Sequence, residues 1–135
     1  SQSFTSLTKC KGDRLTPSVL VVNQKTQGPS EYFPELALVE WLAQQGHPVP
    51  IYTFSRGGVQ AAAEVYRKLA STLRPDTIVL VDGGTDILMQ GDEPSLGTPI
   101  EDISSLLGVH LLQGIERKLV ACIGFGVDTH HGVSH

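Results

Sequence analysis

Four short apolar runs constrain the fold of this chain more than any other feature. They are Ser18–Asn23, Val49–Phe54, Thr77–Asp82 and Leu119–Gly124. Three of the four are nearly continuous in valine, isoleucine and leucine. Such continuity is typical of strands that are covered on both faces, as in a parallel sheet. The run at 49–54 is weaker, and Pro48 and Pro50 favour an edge position for it, because proline cannot donate a hydrogen bond to a neighbouring strand.

Helical patterns separate these strands. They are predicted over Tyr32–Gln45, over Gly58–Leu73 and from Pro99 onwards. The third helix has a capping box at its start, with Thr98 as the N-cap and Glu101 at the third helical position. Strands that alternate with helices predict right-handed crossovers and a parallel sheet with helices on both faces.

The predicted fold is therefore α/β. We expect a Rossmann-like three-layer sandwich with a mostly parallel sheet of about four strands. The residues leave open whether this chain contains the whole sheet. Residues 1–16 are expected to form a flexible N-terminal segment, and residues 17–135 a single α/β domain that is part of a larger one. A chain of 135 residues with 40% hydrophobic residues has room for one such core.

The strand that ends at Gly124 has no predicted helix after it. A doubly wound fold would next supply a helix to cover that strand. Soluble proteins rarely leave a large apolar surface in water. We therefore expect a partner chain or a missing segment to cover this strand.

Composition and charge exclude several classes of function. The net charge is −4 and the basic residues are scattered, so the chain has no electrostatic reason to bind nucleic acid or an anionic membrane. No apolar run reaches the ~20 residues needed to span a bilayer. Cys10 and Cys122 indicate no disulfide framework, which favours a reducing compartment. We expect an intracellular, cytoplasmic protein, with an organelle as the alternative.

The loop after the third strand is the richest in polar chemistry. Ligands of open parallel sheets bind beyond the carboxyl ends of the strands. Asp82 ends the strand, Gly83 and Gly84 permit a close backbone approach, and Asp86 follows. We expect these four residues to bind a ligand, and Asp82 also to bind a metal ion. The alternative is that both aspartates only bond to their own backbone in turns.

Two adjacent acids, Asp92 and Glu93, lie further along the same loop. They are predicted either to bind a hard cation or to act as catalytic acid and base, which requires one of them to have a raised pKa. The alternative is a solvated turn. A loop of this length without its own helix is more often functional than not.

The segment after the fourth strand offers a glycine turn with acid and imidazole groups. Gly124 and Gly126 are predicted to bind the ligand, Asp128 a metal ion, and His130 is a candidate catalytic residue. The dinucleotide fingerprint is not met, because no third glycine follows at the required spacing. Surface histidines without a function are the alternative.

The turn after the second strand is a candidate anion site. Arg56 and the two glycines that follow it precede a helix, and backbone N–H groups at a helix start can hold an anion. A tight turn that simply needs two glycines is the alternative.

Three long strings, VDGGTDILMQGDE, LGTPIEDISSL and IGFGVDTHHGVSH, occur together in this chain. Because these strings occur together, the chain resembles the middle portion of the proteins of an uncharacterised domain-of-unknown-function family, which has relatives in archaea, bacteria and plants. The resemblance implies a Rossmann-like α/β fold and a longer protein. It also implies a glycine-rich strand–turn–helix upstream, which this chain lacks. It implies no reaction.

Together these features predict a small-molecule or nucleotide-type ligand site at the carboxyl ends of the strands, with a divalent metal ion as an optional cofactor. The residues leave open whether the site is catalytic. The alternative is a non-catalytic accessory or structural subunit of a larger assembly, in which an uncovered strand meets another chain.

Overall fold

A computed structural model describes residues 7–28, 32–55, 57–90, 99–124 and 127. The chain divides into two compact units, Ser1–Ser55 and Arg56–His135, which are described separately. The elements in chain order are β1 (Asp13–Thr16), β2 (Val19–Val22), α1 (Pro34–Gln44), β3 (Ile51–Phe54), α2 (Gly58–Leu73), β4 (Thr77–Asp82), α3 (Pro99–His110) and β5 (Arg117–Cys122). Short 3-10 turns occupy Leu7–Lys9 and Asp86–Leu88.

The first unit is built on a three-stranded antiparallel sheet in the order β1-β2-β3. Its central strand β2 supplies Leu20 and Val22, which are fully buried and pack with Val39 of α1 and with Cys10. Desolvation in this core raises the pKa of the Cys10 thiol. Cys10 and Cys122 are both free, so no disulfide joins them.

The second unit is a helix pair with a two-stranded parallel sheet. Strand β4 pairs with β5 in register from Thr77–Arg117 to Asp82–Cys122, and α3 connects the two strands. Helices α2 and α3 pack closely at Gly108, where an added Cβ would lie 2.9 Å from Tyr66 Cδ2 and 3.2 Å from the Ala63 nitrogen. Helix α2 ends at Leu73, and the next residue, Arg74, is in the left-handed region with a φ of 49°.

The α/β class is confirmed, but a single mostly parallel sheet is not present among the described residues. The four predicted strands divide between two sheets, and β2 and β3 pair antiparallel. A continuous apolar run reports burial on both faces of a strand, and β2 satisfies that condition within an antiparallel sheet. Burial alone does not determine the direction of a neighbouring strand.

Strand β1 lies inside the segment 1–16 that the sequence predicts to be flexible. Its four residues include Asp13 and Arg14 and contain no apolar run, so their pattern gives no strand signal. Pairing with β2 through the turn at 17–18 forms the strand. Within the range 17–135, predicted as a single domain, the boundary between the two units falls after Ser55.

The sheet of the second unit leaves much apolar surface in contact with solvent. Val79 and its register partner Leu119 are each 49% exposed, and Val81 and Ile123 are exposed further. The sequence predicts that a partner chain or a missing segment covers the strand ending near Gly124, and this surface belongs to that strand and its neighbour. That cover stays a prediction. Within the described ranges, no helix combines the length and apolar character needed to cross a bilayer.

Candidate functional site

The turn that follows β4 is organised by Asp82. Its main-chain oxygen accepts a hydrogen bond from the Ile123 N–H, with an N···O distance of 2.8 Å. Its carboxylate Oδ2 accepts one from the Ile87 N–H, with an N···Oδ2 distance of 3.3 Å. Asp82 thus links the end of β4 both to the end of β5 and to the 3-10 turn. Thr85 is fully buried in this turn.

Three carboxylates converge beyond the end of β4. Asp82, Asp86 and Asp102 each offer one carboxylate oxygen, and the three oxygens lie within 4.8 Å of one another. All three side chains are half-buried. We call these three residues the acidic cluster.

Asp102 joins the acidic cluster because of the connection between the two parallel strands. Helix α3 packs against β4 and the 3-10 turn, and Asp102 lies in its first turn. In a strand–helix–strand unit the helix begins at the edge where the preceding strand ends. An acid in the first turn of α3 therefore lies at the same edge as Asp82.

Sequence reasoning did not select Asp102 as a site residue. The capping box at the start of α3 places Asp102 in the first helical turn, but it does not show that this turn lies beside Asp82. Acidic residues such as Glu101 and Asp102 commonly occur in the first turn of a helix, where they stabilise its N-terminus. The same position also brings Asp102 to the edge of the sheet where β4 ends.

The electrostatics of the acidic cluster favour a proton or a cation. The pKa of Asp102 is raised, first by desolvation and then by the negative charges of Asp86, Asp82 and Glu101. A hydrogen bond from its own backbone lowers that pKa and offsets part of the rise. Full ionisation of the cluster thus has an unfavourable free energy, which a bound cation would reduce.

The donor set of the acidic cluster restricts the metals that suit it. Its three ligands are all carboxylate oxygens, which suit hard cations such as Mg²⁺, Ca²⁺ or Mn²⁺. It contains neither sulfur nor imidazole among the described residues, so it lacks the ligands typical of zinc centres. Without a metal, two carboxylates as close as those of the acidic cluster can share a proton and act as acid and base.

The structure brings two of the predicted site residues into the acidic cluster, Asp82 and Asp86. Gly84 is buried beside them, whereas Gly83 has open space around it, with no atom within 4 Å of an added Cβ. Gly124 follows β5 with a φ of 75°, a conformation that favours glycine. Because β5 is parallel to β4, Gly124 leaves the sheet at the same edge as Asp82.

The other predicted site residues lie outside the described residues. They are Arg56, Asp92, Glu93, Gly126, Asp128 and His130. Their predicted roles stay predictions.

Comparison with known proteins identifies a family and no reaction. A protein-family model described as "protein of unknown function (DUF1152)" matches residues 4–130. This match confirms the resemblance to an uncharacterised domain-of-unknown-function family. No curated protein and no solved structure matches the chain.

Proposed function

The chain belongs to the DUF1152 family of proteins of unknown function, and from that premise we propose that it binds a phosphate-bearing small molecule or nucleotide together with a divalent cation. The site is the edge of the second unit where β4 and β5 end. The observation that carries the proposal is the convergence of Asp82, Asp86 and Asp102 within 4.8 Å.

The charge of the acidic cluster supports a cation. Like charges at this separation repel, and partial burial strengthens the repulsion because water screens it less. A divalent cation replaces this repulsion with attraction. Mg²⁺ usually keeps only one or two protein carboxylates and completes its octahedral shell with water and substrate phosphate oxygens. The acidic cluster therefore favours a ligand that brings phosphate to the metal.

The strand arrangement supports a ligand at the same edge. Ligands of open α/β sheets bind beyond the carboxyl ends of parallel strands, and β4 and β5 end there together. In this proposal β4, α3 and β5 are one unit of a Rossmann-like sheet. Gly83, Gly84 and Gly124 let the ligand approach the backbone closely.

The remaining predicted residues complete the site in this proposal. Asp128 is a further metal ligand, and Arg56 and Gly126 contact the ligand. If the protein also catalyses a reaction of the bound ligand, Asp92, Glu93 and His130 act as its acid and base groups.

Calorimetric titration with Mg²⁺ and Mn²⁺, at constant ionic strength, tests the cation site. We expect saturable binding to the unmodified chain and a loss of affinity of at least about tenfold in Asp86→Asn and in Asp102→Asn, since each substitution removes one charged ligand. Adding a nucleoside diphosphate should then strengthen Mn²⁺ binding, because its phosphates supply further oxygens.

Asp76→Asn is the matched control. Asp76 is exposed and precedes the other end of β4, so the substitution removes the same charge away from the acidic cluster. Its cation affinity should stay within about twofold of the unmodified chain. Equal losses of cation affinity in Asp76→Asn and Asp102→Asn would show that the loss comes from net charge alone, and would contradict a cation site at the acidic cluster.

The exposed apolar face of the second sheet favours a second candidate function. Val81 is 60% exposed and Ile123 63%, which is unusual for a monomer in water. We infer as the alternative that the chain is an accessory or structural subunit, in which a partner chain or a further segment covers this face.

Sedimentation velocity distinguishes this alternative. An accessory subunit with an uncovered face should self-associate at micromolar concentration, and the double variant Val81→Lys, Ile123→Lys should remain monomeric. Cation binding that is unchanged in this double variant would separate the two functions. A chain that is monomeric at every concentration and binds no cation would contradict both.

A further inference from the structure

A second candidate site lies at the opposite edge of the second unit, where β4 and β5 begin. A cavity of about 540 Å³ is bounded on one side by the end of α2 and on the other by the segment that connects α3 to β5. Arg74 and Pro75 line it just before β4, and Gly114 and Ile115 line it just before β5. Its volume is within the range of small-molecule pockets.

One wall of this cavity is positively charged. Arg67 lies in α2 and Arg74 directly follows the helix, and both line the cavity together with Ala70, which lies between them in the sequence. Among the described residues, no acidic side chain lines the cavity. In the part of the chain that the structure describes, neither guanidinium has an ion pair or a hydrogen bond. The charge of this cavity is thus opposite in sign to that of the chain, which is −4.

The facing wall offers backbone donors and apolar contact. The amides of Gln113, Gly114 and Ile115 donate to no acceptor among the described residues. Gly114 has a φ of 75°, and a turn that contains a residue in this conformation can present successive N–H groups to an anion. Leu112 is buried beside them and Ile115 half-buried, so this wall also presents apolar surface.

We propose that this cavity binds the oxyanion of a small molecule, a phosphate or a carboxylate, between the guanidinium groups of Arg67 and Arg74. Guanidinium groups bind both oxyanions through paired N–H donors. The amides of the facing wall complete the anion's hydrogen bonds, and an apolar portion of the ligand packs on Leu112 and Ile115. This site shares no residue with the acidic cluster and does not depend on it.

Titration of the ¹⁵N-labelled chain with inorganic phosphate and with benzoate, at constant ionic strength, tests the proposal. We expect saturable shifts of the amide resonances of residues 113–115. Arg67→Gln and Arg74→Gln should each weaken binding about tenfold, because each removes a charged hydrogen-bond donor. Tighter binding of phosphate would identify a phosphate ligand, and tighter binding of benzoate a carboxylate with an apolar body.

Lys68→Gln is the matched control, since it removes a neighbouring positive charge that does not line the cavity. Its affinity should stay within about twofold. Ala70→Glu adds a carboxylate between the two arginines and should abolish binding without removing either of them. Shifts that do not saturate with either anion, or that are equally weakened in Lys68→Gln, or that persist in Ala70→Glu, would overturn the proposal.

Discussion

A carboxylate oxygen of Asp82 lies within 4.8 Å of one from Asp102, although Asp82 ends strand β4 and Asp102 lies in the first turn of helix α3. Both side chains are half-buried, so their mutual repulsion is less screened than it would be in water. This relationship connects the stability of the second unit with its capacity to hold a cation, and both depend on pH.

The pKa of Asp102 predicts how stability changes with pH. In the unfolded chain this carboxyl titrates near 3.8, whereas its pKa in the folded protein is raised. The folded state therefore retains a proton that the unfolded state releases. The resulting stabilisation is present in full below pH 3.8 and is lost as the pH rises through the raised pKa. Asp102→Asn cannot titrate, so its free energy of unfolding should exceed that of the unmodified chain at pH 7.

Urea unfolding at pH 4 and pH 7, without divalent cations, measures this difference. Asp76→Asn serves as the control for net charge, and it should follow the pH profile of the unmodified chain. Identical pH profiles for Asp102→Asn and the unmodified chain would contradict the assignment.

Cation binding should depend on pH in the opposite direction. A metal binds the ionised carboxylate, so Mn²⁺ affinity should fall as the pH is lowered through the raised pKa of Asp102. The affinity of Asp102→Asn should be weaker and should change less over the same pH range. Calorimetry at several pH values, in buffers of equal ionic strength, provides the measurement. A steeper pH dependence in Asp102→Asn would show that another group controls binding.

Leu20→Ala should destabilise the first unit by about 2–5 kcal/mol, because it leaves a cavity in a fully buried core. The loss can be followed by fluorescence, since the chain's single tryptophan, Trp41, lies in the same unit. Leu38→Ala is the matched control, because Leu38 is 47% exposed on α1 and should cost less than about 1 kcal/mol. Similar losses for the two variants would contradict the assigned core.

Gly108→Ala tests the close packing of α2 against α3. Alanine favours a helix over glycine by about 1 kcal/mol. At this position, however, its Cβ would meet Tyr66 at 2.9 Å and the Ala63 nitrogen at 3.2 Å. Overpacking of this kind costs about 1–3 kcal/mol, so we expect a net destabilisation of about 1 kcal/mol in urea unfolding followed by circular dichroism.

Gly83→Ala is the control for this substitution, since nothing lies within 4 Å of the added methyl group. Its stability should stay within about 0.5 kcal/mol of the unmodified chain. A stabilised Gly108→Ala variant would mean that the helices separate easily at this contact.

Local signals were sufficient to predict several elements of the second unit. The bounds Gly58–Leu73 and Thr77–Asp82 were predicted as the structure has them, because Pro75 stops the helix and an apolar run forms the strand. The capping box likewise predicted that α3 begins at Pro99. The position of Asp82 at a strand end followed directly from these bounds.

For every helix and strand except β1, the amino-acid sequence by itself indicated which segment forms it, since capping, proline stops and apolar runs act over a few neighbouring residues. Strand β1 has no such signal and depends on its pairing with β2. Only the tertiary structure decided that β2 and β3 run antiparallel. It also decided that Asp102 joins Asp82 and Asp86. Strand direction and the meeting of residues distant in sequence depend on how elements pack. Packing energy is shared among many side chains, and no single local pattern records it.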